Sequence, residues 1–458
     1  MRQCLTNPDG GYYTTNRPFK ESADQFGTAG DFVTSPEISQ VFGELVGIWF
    51  MTEWMAQGRS KDGVQFIEMG PGRGTLMSDV LRTIGQFRSF ANAIQAVWLV
   101  EAGSGLRMKQ KDLLCGEEAQ IKEITDDTGK NKWWEATSKQ GIPVRWVEDI
   151  VLLPKRRGEA STPFIIAHEF FDALPIHAFE SVPPKAEEQQ QQDGDLQTVN
   201  NDGQPISKPS ATSKIPQWRE LLVAPTNPKF SIPLSPETTK PDQNKEPEPD
   251  FQLMLAKAST PSSLVIPERP RYRTLKSQAS SRVEISPESS RYVHAFARMI
   301  GGGDGKTTSK PAGAALIIDY GPLDTVPVNS LRGIRKHKII SPFVHAGDAD
   351  ISADVDFEAL ADTALEASSG VEVHGPVEQG MWLSQLGIQE RVQRLIEAVE
   401  KENSAKELEK KRRDLEAGWK RLVEGGPIGM GKAYKVMTIV PENGGKRRPV
   451  GFGGAVVG

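Results

Sequence analysis

Cysteine is nearly absent from this chain. Cys4 and Cys115 are the two among 458 residues, which leaves no disulfide framework and no zinc-ligand spacing, and points to a reducing compartment. No apolar run approaches the roughly 18 residues of a membrane span. Met1-Arg2 followed by polar residues is not a secretory signal. Neither sign of charge dominates: 55 Lys and Arg against 60 Asp and Glu give a net charge of −5 and a pI near 5.9, with no basic footprint for nucleic acid. No internal repeat is visible. The 37% apolar content reaches ordinary globular levels once the 43 glycines are counted, and the length leaves room for two or three domains.

What the chain does have is a glycine loop. Gln65-Phe-Ile-Glu-Met-Gly-Pro-Gly-Arg-Gly-Thr75 runs from an apolar strand through an acidic residue to Gly70, Gly72 and Gly74. Leu76, Val80, Leu81 and Ile84 follow at helical spacing. Glycine lets the backbone turn sharply and approach a ligand with no Cβ in the way. A dinucleotide fingerprint needs Gly-x-Gly-x-x-Gly, and Thr75 occupies the position of its last glycine, which argues against a nicotinamide-dependent dehydrogenase. Gly-x-Gly-x-Gly behind an acidic residue suits S-adenosylmethionine (SAM), which has no pyrophosphate and whose amino-acid moiety lies over the loop. Glu68 is placed to serve the methionine ammonium. A glycine-rich turn with no ligand is the plain alternative.

The following strands narrow the choice. Ala96-Val-Trp-Leu-Val-Glu101 reads as a second strand ending in a carboxylate, the position from which doubly wound sheets reach ribose hydroxyls, so Glu101 is the ribose candidate. A third strand, Pro143 to Ile150, sets Glu148 and Asp149 where an adenine-contacting acid sits, Asp149 being the chosen candidate; a solvated turn explains the pair as well. Strand, glycine loop, helix, strand and carboxylate together describe a SAM-dependent methyltransferase.

Three long motifs then make a resemblance specific: Gly30-Asp-Phe-Val-Thr-Ser-Pro-Glu-Ile-Ser-Gln-Val-Phe-Gly-Glu44, Glu68-Met-Gly-Pro-Gly-Arg-Gly-Thr-Leu-Met77 and His168-Glu-Phe-Phe-Asp-Ala-Leu-Pro-Ile-His177. Ile318-Asp-Tyr-Gly321, His337-Lys338, Ala353-Asp-Val-Asp-Phe357 and Gln385-Leu-Gly-Ile388 follow in order. The chain resembles the mitochondrial-dysfunction protein A family over nearly its whole length outside the polar insertions. The resemblance implies a class I (Rossmann-like) SAM-dependent methyltransferase fold: a seven-stranded, mostly parallel sheet with an antiparallel last strand, carrying helical and β-hairpin additions. It also implies symmetric dimethylation of an arginine on the 49 kDa-type subunit of respiratory complex I during assembly, in the mitochondrial matrix. His168 stands where the family more often carries Asn. The chain opens inside the family's first helical region, so any transit peptide is expected to be missing from this sequence.

Arginine methylation sets a chemical demand. A guanidinium stays protonated in water and presents five donors in a planar fork. Carboxylates align the fork by paired hydrogen bonds and localise density on the attacking nitrogen. Glu169 and Asp172 follow the fourth strand (Pro163 to Ala167), at the edge where open α/β sheets bind ligands. They share a face if Phe170 onward begins a helical turn, so both are assigned to the guanidinium, with Glu169 as primary partner. Phe170 and Phe171 would wall the pocket against water. Asp172 as a helix cap leading to Pro175 is the other reading. Glu37, in the Ser35-Pro36-Glu37 turn, is a further substrate-binding candidate or a cap. His168 either accepts the leaving proton or is a hydrogen-bonded wall. Asp319 borders the substrate channel or ends a strand in a turn. The basic run Arg332 to Lys338 is a solvated face or a contact for an acidic part of the substrate.

Along the chain the reading is an N-terminal helical region contributing to the site (1–62), the SAM-binding half of the core (63–182), a disordered polar insert within a hairpin (183–216), hairpin, proline-rich loop and helix (217–310), the C-terminal half of the core (311–440) and a flexible tail (441–458). Residues 116–141 read as a charged loop, 36–58 as one helix and 378–424 as helical. Gly301 to Thr307 is not a phosphate loop, because Ile300 stands where glycine is required; it reads as a flexible linker. Two other functions remain open: a SAM-binding assembly scaffold without turnover, and a methyltransferase for another substrate.

Overall fold

The computed structural model describes residues 1–14, 27, 30–126, 129, 132–153, 161–183, 216–226, 249–302, 310–402, 405–426 and 429–454. Nearly all of the polar insert expected at 183–216, most of the proline-rich stretch 225–250 and most of Gly301 to Thr307 lie outside the described residues. The chain forms two compact units, one of residues 1–175 with 286–458 and one of residues 176–285.

The larger unit begins with β1 (Val64–Met69), β2 (Ile94–Val100), β3 (Lys122–Thr125), β4 (Lys132–Thr137), β5 (Pro143–Val147) and β6 (Thr162–His168). The smaller holds β7 (His177–Val182), β8 (Gln217–Pro225), β9 (Phe251–Leu255) and β10 (Arg282–Ile285), an antiparallel sheet in the order β10-β7-β8-β9. The expected pairing of the segments near 176–182 and 217–224 is its β7–β8 ladder. The larger unit resumes with β11 (Ala314–Tyr320), β12 (Arg332–Arg335), β13 (Lys338–Ile340), β14 (Asp350–Ser352), β15 (Val371–Glu378) and β16 (Tyr434–Pro441). Its main sheet runs β15-β16-β11-β6-β1-β2-β5-β4-β3, and β13-β12-β14 form a small separate sheet.

β11, β6, β1, β2 and β5 are parallel neighbours. β16 runs antiparallel to both β11 and β15, so outside the β3–β4 hairpin only the last strand in chain order is reversed, as the resemblance implies. The main sheet has two strands more than the seven expected: residues 116–141, expected as a loop, contain the β3–β4 hairpin. Trp134 explains it, since it pairs with Trp146 across β4 and β5 and lies under the Arg107 guanidinium at 3.6 Å. The charged residues around it occupy the solvent side.

Central strands covered on both faces read as continuous apolar runs. Phe164, Ile165, Ile166 and Ala167 are all fully buried, and alternate side chains enter opposite cores. Phe66, Leu99, Phe164 and Leu316 meet the helices Gln40–Ala56 and Thr75–Ile84 on one face; Ile67, Val100, Ile165 and Ile317 meet Pro287–Ile300 and Phe357–Ala367 on the other. Each large apolar side chain so buried contributes about 1.5–3 kcal/mol.

The helix expected over 36–58 is two pieces. Ser35–Ile38 is followed by an extended Ser39, whose hydroxyl caps Gln40–Ala56 by accepting from Val41 N–H at 3.3 Å. That break aims Glu37 away from the long helix. The helical stretch 378–424 divides into Gln379–Gln385, Ile388–Glu402 and Ala405–Val423, with Gly387 at φ +77° in the first break. The segment after β16, expected as a flexible tail, packs against the core through Arg447 and Pro449–Phe452. Val450 and Phe452 are buried, Trp49 Nε1 donates to Val450 O at 3.0 Å, and Arg447 holds the fully buried Glu53 through bonds of 2.8 and 2.6 Å.

Candidate active site

The carboxyl ends of β1, β2 and β6 border a cavity of about 280 Å³. On its floor β1 ends at Glu68 and Met69, and the chain then turns through Gly70 at φ +58° and Gly72 at φ +54°. These are left-handed conformations that a side chain resists, and a Cβ on Gly70 would also lie 3.0 Å from the Phe170 ring. Gly74, at φ +86°, is the N-cap of Thr75–Ile84 and lies behind the cavity wall against Gln110. Glu68 lines the cavity with its Oε2 buried and without a hydrogen-bond partner. Burial raises its carboxyl to about 8.

Glu101 stands at the end of β2, as read, and its two oxygens are held from behind. Gly103 N–H donates to Oε1 at 2.7 Å and Gln110 Nε2 to Oε2 at 3.0 Å. Burial raises this carboxyl to about 7, against the lowering effect of those bonds and of Arg107. Gln110 was not foreseen. From the helix Ser104–Cys115 it also donates to Gly72 O at 2.7 Å and accepts from Trp146 Nε1 at 3.0 Å, tying the glycine loop to β2 and β5. A glutamine among lysines carries no signal of this in the sequence.

Of the acidic pair after β5, the structure separates the roles. Glu148 lines the cavity. Asp149, the residue chosen from sequence, does not: it caps a 3-10 turn by accepting from Val151 N–H at 3.0 Å and pairs with Arg291 at 3.1 Å. Neighbours at a strand end point opposite ways, so only one of the two can face the ligand.

The turn after β6 brings His168, Glu169 and Phe170 to the cavity, and excludes Phe171 and Asp172 from its lining. No helical turn begins at Phe170. Glu169 takes φ +50°, so its carboxyl and that of Asp172 part company. Phe171 is a core residue, edge-on to Phe296. Asp172 accepts from Ser352 Oγ at 2.9 Å and is buried beside Asp319 and Asp350; it caps no helix. Glu169 Oε1 is buried without a hydrogen-bond partner. Burial first, and Asp172 second, hold its carboxyl well above the usual range, opposed by the Tyr434 hydroxyl and Ser35 N–H. His168 Nε2 lies 3.3 Å from Glu169 Oε1 without hydrogen-bonding geometry. Burial pushes the imidazole down to about 3, so it is neutral near pH 7, a weak proton acceptor packed between Phe42 and Tyr434.

Glu37 lines the cavity and does two jobs, receiving Thr34 N–H at 3.3 Å and Arg73 Nη1 of the glycine loop at 3.3 Å. The N-terminal segment forms another wall. Arg2, Leu5, Thr6 and Tyr13 line the cavity, and Arg2 pairs with Glu288. Tyr13 donates to Asp350 at 2.8 Å and Tyr12 to Asp31 at 2.8 Å. The basic run ends far less freely than a solvated face would: Lys336 and His337, at φ +49° and +60°, form the β12–β13 turn, and their amides donate to Asp31 at 2.8 Å each.

Comparison with known proteins bears on the cofactor. Residues 45–377 match the model of a family described as S-adenosyl-L-methionine-dependent methyltransferase. The chain is 31% identical to the Drosophila melanogaster protein named "Protein arginine methyltransferase NDUFAF7 homolog, mitochondrial", over 96% of this chain and 80% of that one. It is 30% identical to the Homo sapiens "Protein arginine methyltransferase NDUFAF7, mitochondrial", over 96% and 79%. A Burkholderia thailandensis protein crystallised with S-adenosyl-homocysteine shares the fold at a TM-score of 0.60 and 18% identity, over 99% of this chain and 87% of that one.

Proposed function

Because this chain belongs to the S-adenosyl-L-methionine-dependent methyltransferase family, we propose that it is a protein-arginine N-methyltransferase of the mitochondrial matrix. Its substrate is then the 49 kDa-type subunit of respiratory complex I, dimethylated symmetrically during assembly. The names of the relatives support arginine and the mitochondrion; the motifs support the subunit. The observation that carries the reading is the buried Glu169 carboxyl, whose Oε1 has no hydrogen-bond partner and which lines the same cavity as Glu68.

The residues fit the cofactor. Glu68 offers a buried, unpartnered oxygen to an ammonium, Glu101 has lone pairs left for two hydroxyls, and Gly70 and Gly72 keep the floor free of side chains. With Asp149 turned away, Glu148 takes over the adenine side. When bound, S-adenosyl-L-methionine supplies a methyl group on a sulfonium, open to attack by a nitrogen. Everything else falls to the chain. Glu169, with Glu37 of the neighbouring turn, aligns the guanidinium fork, and the charge of a carboxylate keeps electron density on the nitrogen that attacks. As the N–C bond forms, that nitrogen sheds a proton, and Glu169, whose affinity for protons is raised by burial, is the group to take it. Phe170 narrows the cavity and keeps water out. His168 is a neutral wall.

The test is transfer of labelled methyl from SAM to purified respiratory-chain subunits, with the modified residue mapped by mass spectrometry. Methylated arginine on the 49 kDa-type subunit supports the reading. Methyl on another residue type or a small molecule overturns the substrate; SAM binding without transfer to any acceptor leaves the scaffold reading in its place.

A further inference from the structure

Asp319 is fully buried near the end of β11, beneath the turn that carries Glu169. Its two oxygens have different tasks. Oδ1 accepts from the Tyr320 N–H at 2.9 Å. Oδ2 accepts from three successive amides, those of Phe170, Phe171 and Asp172, at 3.1, 2.8 and 3.3 Å. Consecutive amides converging on one anion form a nest, here closed by the protein's own side chain. The amide of Glu169 itself goes to Ile318 O at 3.0 Å.

That wiring explains the conformation of Glu169. A residue with a Cβ resists φ of +50° and returns to an extended or helical backbone unless its surroundings over-determine it. Here four consecutive amides, from Glu169 to Asp172, are fixed by β11 and its Asp319. A relaxed Glu169 would have to release them.

We infer that Asp319 is a positioning residue for the methyl acceptor: it clamps the 169–172 turn so that the Glu169 carboxyl stays aimed into the cavity. Asp319 does not line that cavity and acts through Glu169 alone. The inference rests on the assignment of Glu169 to the guanidinium.

A double-mutant cycle tests it on the full chain, with SAM affinity, melting temperature, kcat and KM for the acceptor measured for each protein. Asp319→Asn puts an amide NH2 where one set of backbone donors expects an acceptor. Turnover is expected to fall roughly ten- to hundred-fold, as for a lost charge-assisted bond, with SAM affinity within about twofold because Glu68 and Glu101 are untouched. Glu169→Gln is expected to lose a similar factor. The decisive reading is the Asp319→Asn, Glu169→Gln double variant. If Asp319 works through Glu169, the double variant is no slower than the slower single one; multiplying losses overturn the inference, since a merely structural role would add in every background. Wild-type kcat in Glu169→Gln sinks the assignment of Glu169, whereas wild-type kcat in Asp319→Asn alone sinks only the clamp. Asp319→Ser, one atom too short for its hydroxyl to hold the three amides, is read in the same cycle if the asparagine variant fails to fold. Loss of SAM binding in both Asp319 variants makes the residue a determinant of the fold and also overturns the inference.

Discussion

With the ammonium placed at Glu68 as proposed, cofactor binding is expected to be a proton-release reaction. In the protein alone burial holds the Glu68 carboxyl at about 8, so at pH 7 roughly nine molecules in ten carry a proton there. An ammonium beside it favours the carboxylate. Binding at pH 7 is therefore expected to expel about 0.9 proton from Glu68, and Glu101, held at about 7, adds up to about half a proton once ribose hydroxyls donate to it. Affinity follows the same sign: binding needs the deprotonated Glu68, so it strengthens by about fifty-fold between pH 6 and pH 8 on this residue alone and levels off above. Stability of the bare protein runs the other way. A folded-state pKa raised from 4.5 to about 8 stabilises fully below 4.5 and is lost as pH rises through 8, a swing of at most about 5 kcal/mol. Calorimetric titration with SAM at pH 7, in buffers of different ionisation enthalpy, measures the protons released. Wild-type protein should release about one or more, and Glu68→Gln about 0.9 fewer. A count near zero in the wild type, or the same count in Glu68→Gln, refutes the placement of the ammonium at Glu68.

Other expectations follow from single contacts. Gly72→Val forces a branched side chain into a backbone at φ +54° on the cavity floor, so SAM affinity should collapse while circular dichroism stays native; unchanged affinity rejects the loop as the cofactor's floor. Glu148→Ala should weaken SAM binding by about 1–3 kcal/mol, the worth of a charged acceptor, and Asp149→Ala should leave it unchanged and lower only stability; calorimetry giving the reverse order would return the adenine side to Asp149. Arg447→Ala leaves Glu53 buried without its partner, which should cost about 3–5 kcal/mol in denaturant unfolding, whereas a loss below about 1 kcal/mol would show that water reaches Glu53.

The parts of this fold that depend on neighbours in sequence were legible in it. Three alternate glycines behind an apolar strand announce a left-handed loop, because few other residues adopt those angles. Continuous apolar runs such as Phe164 to Ala167 announce strands covered on both faces. The β3–β4 hairpin was hidden because its charged residues belong to a solvent face and its reason for folding is a contact with Arg107 and Trp146. The packing of Val450 and Phe452 was hidden by glycines around them, since nothing local says that Trp49 waits for the backbone there.

Two of the acids read from sequence, Asp149 and Asp172, fall outside the cavity lining for a more general reason. A strand end fixes where a carboxylate sits but not which way it points, and one residue of difference reverses the direction. Glu148 and Asp149 divide that way, and so do Glu169 and Asp172, whose partners Ser352 and Asp319 lie far along the chain. What the three-dimensional arrangement adds is a rationale for so many acids in one place. Six glutamates line the cavity, at positions 37, 68, 101, 148, 169 and 288, and its two arginines, Arg2 and Arg73, are already paired with Glu288 and Glu37. A cavity carrying all six charges at once would repel itself. Burial resolves this by holding Glu68 and Glu169 above the usual carboxylate range, so that a cation facing either one favours its charged form. A sulfonium cofactor with an ammonium, and a guanidinium acceptor, are such cations. A neutral acceptor of the same shape would bring no counter-charge to the buried Glu169 carboxyl, which is the physical case for arginine over an uncharged side chain.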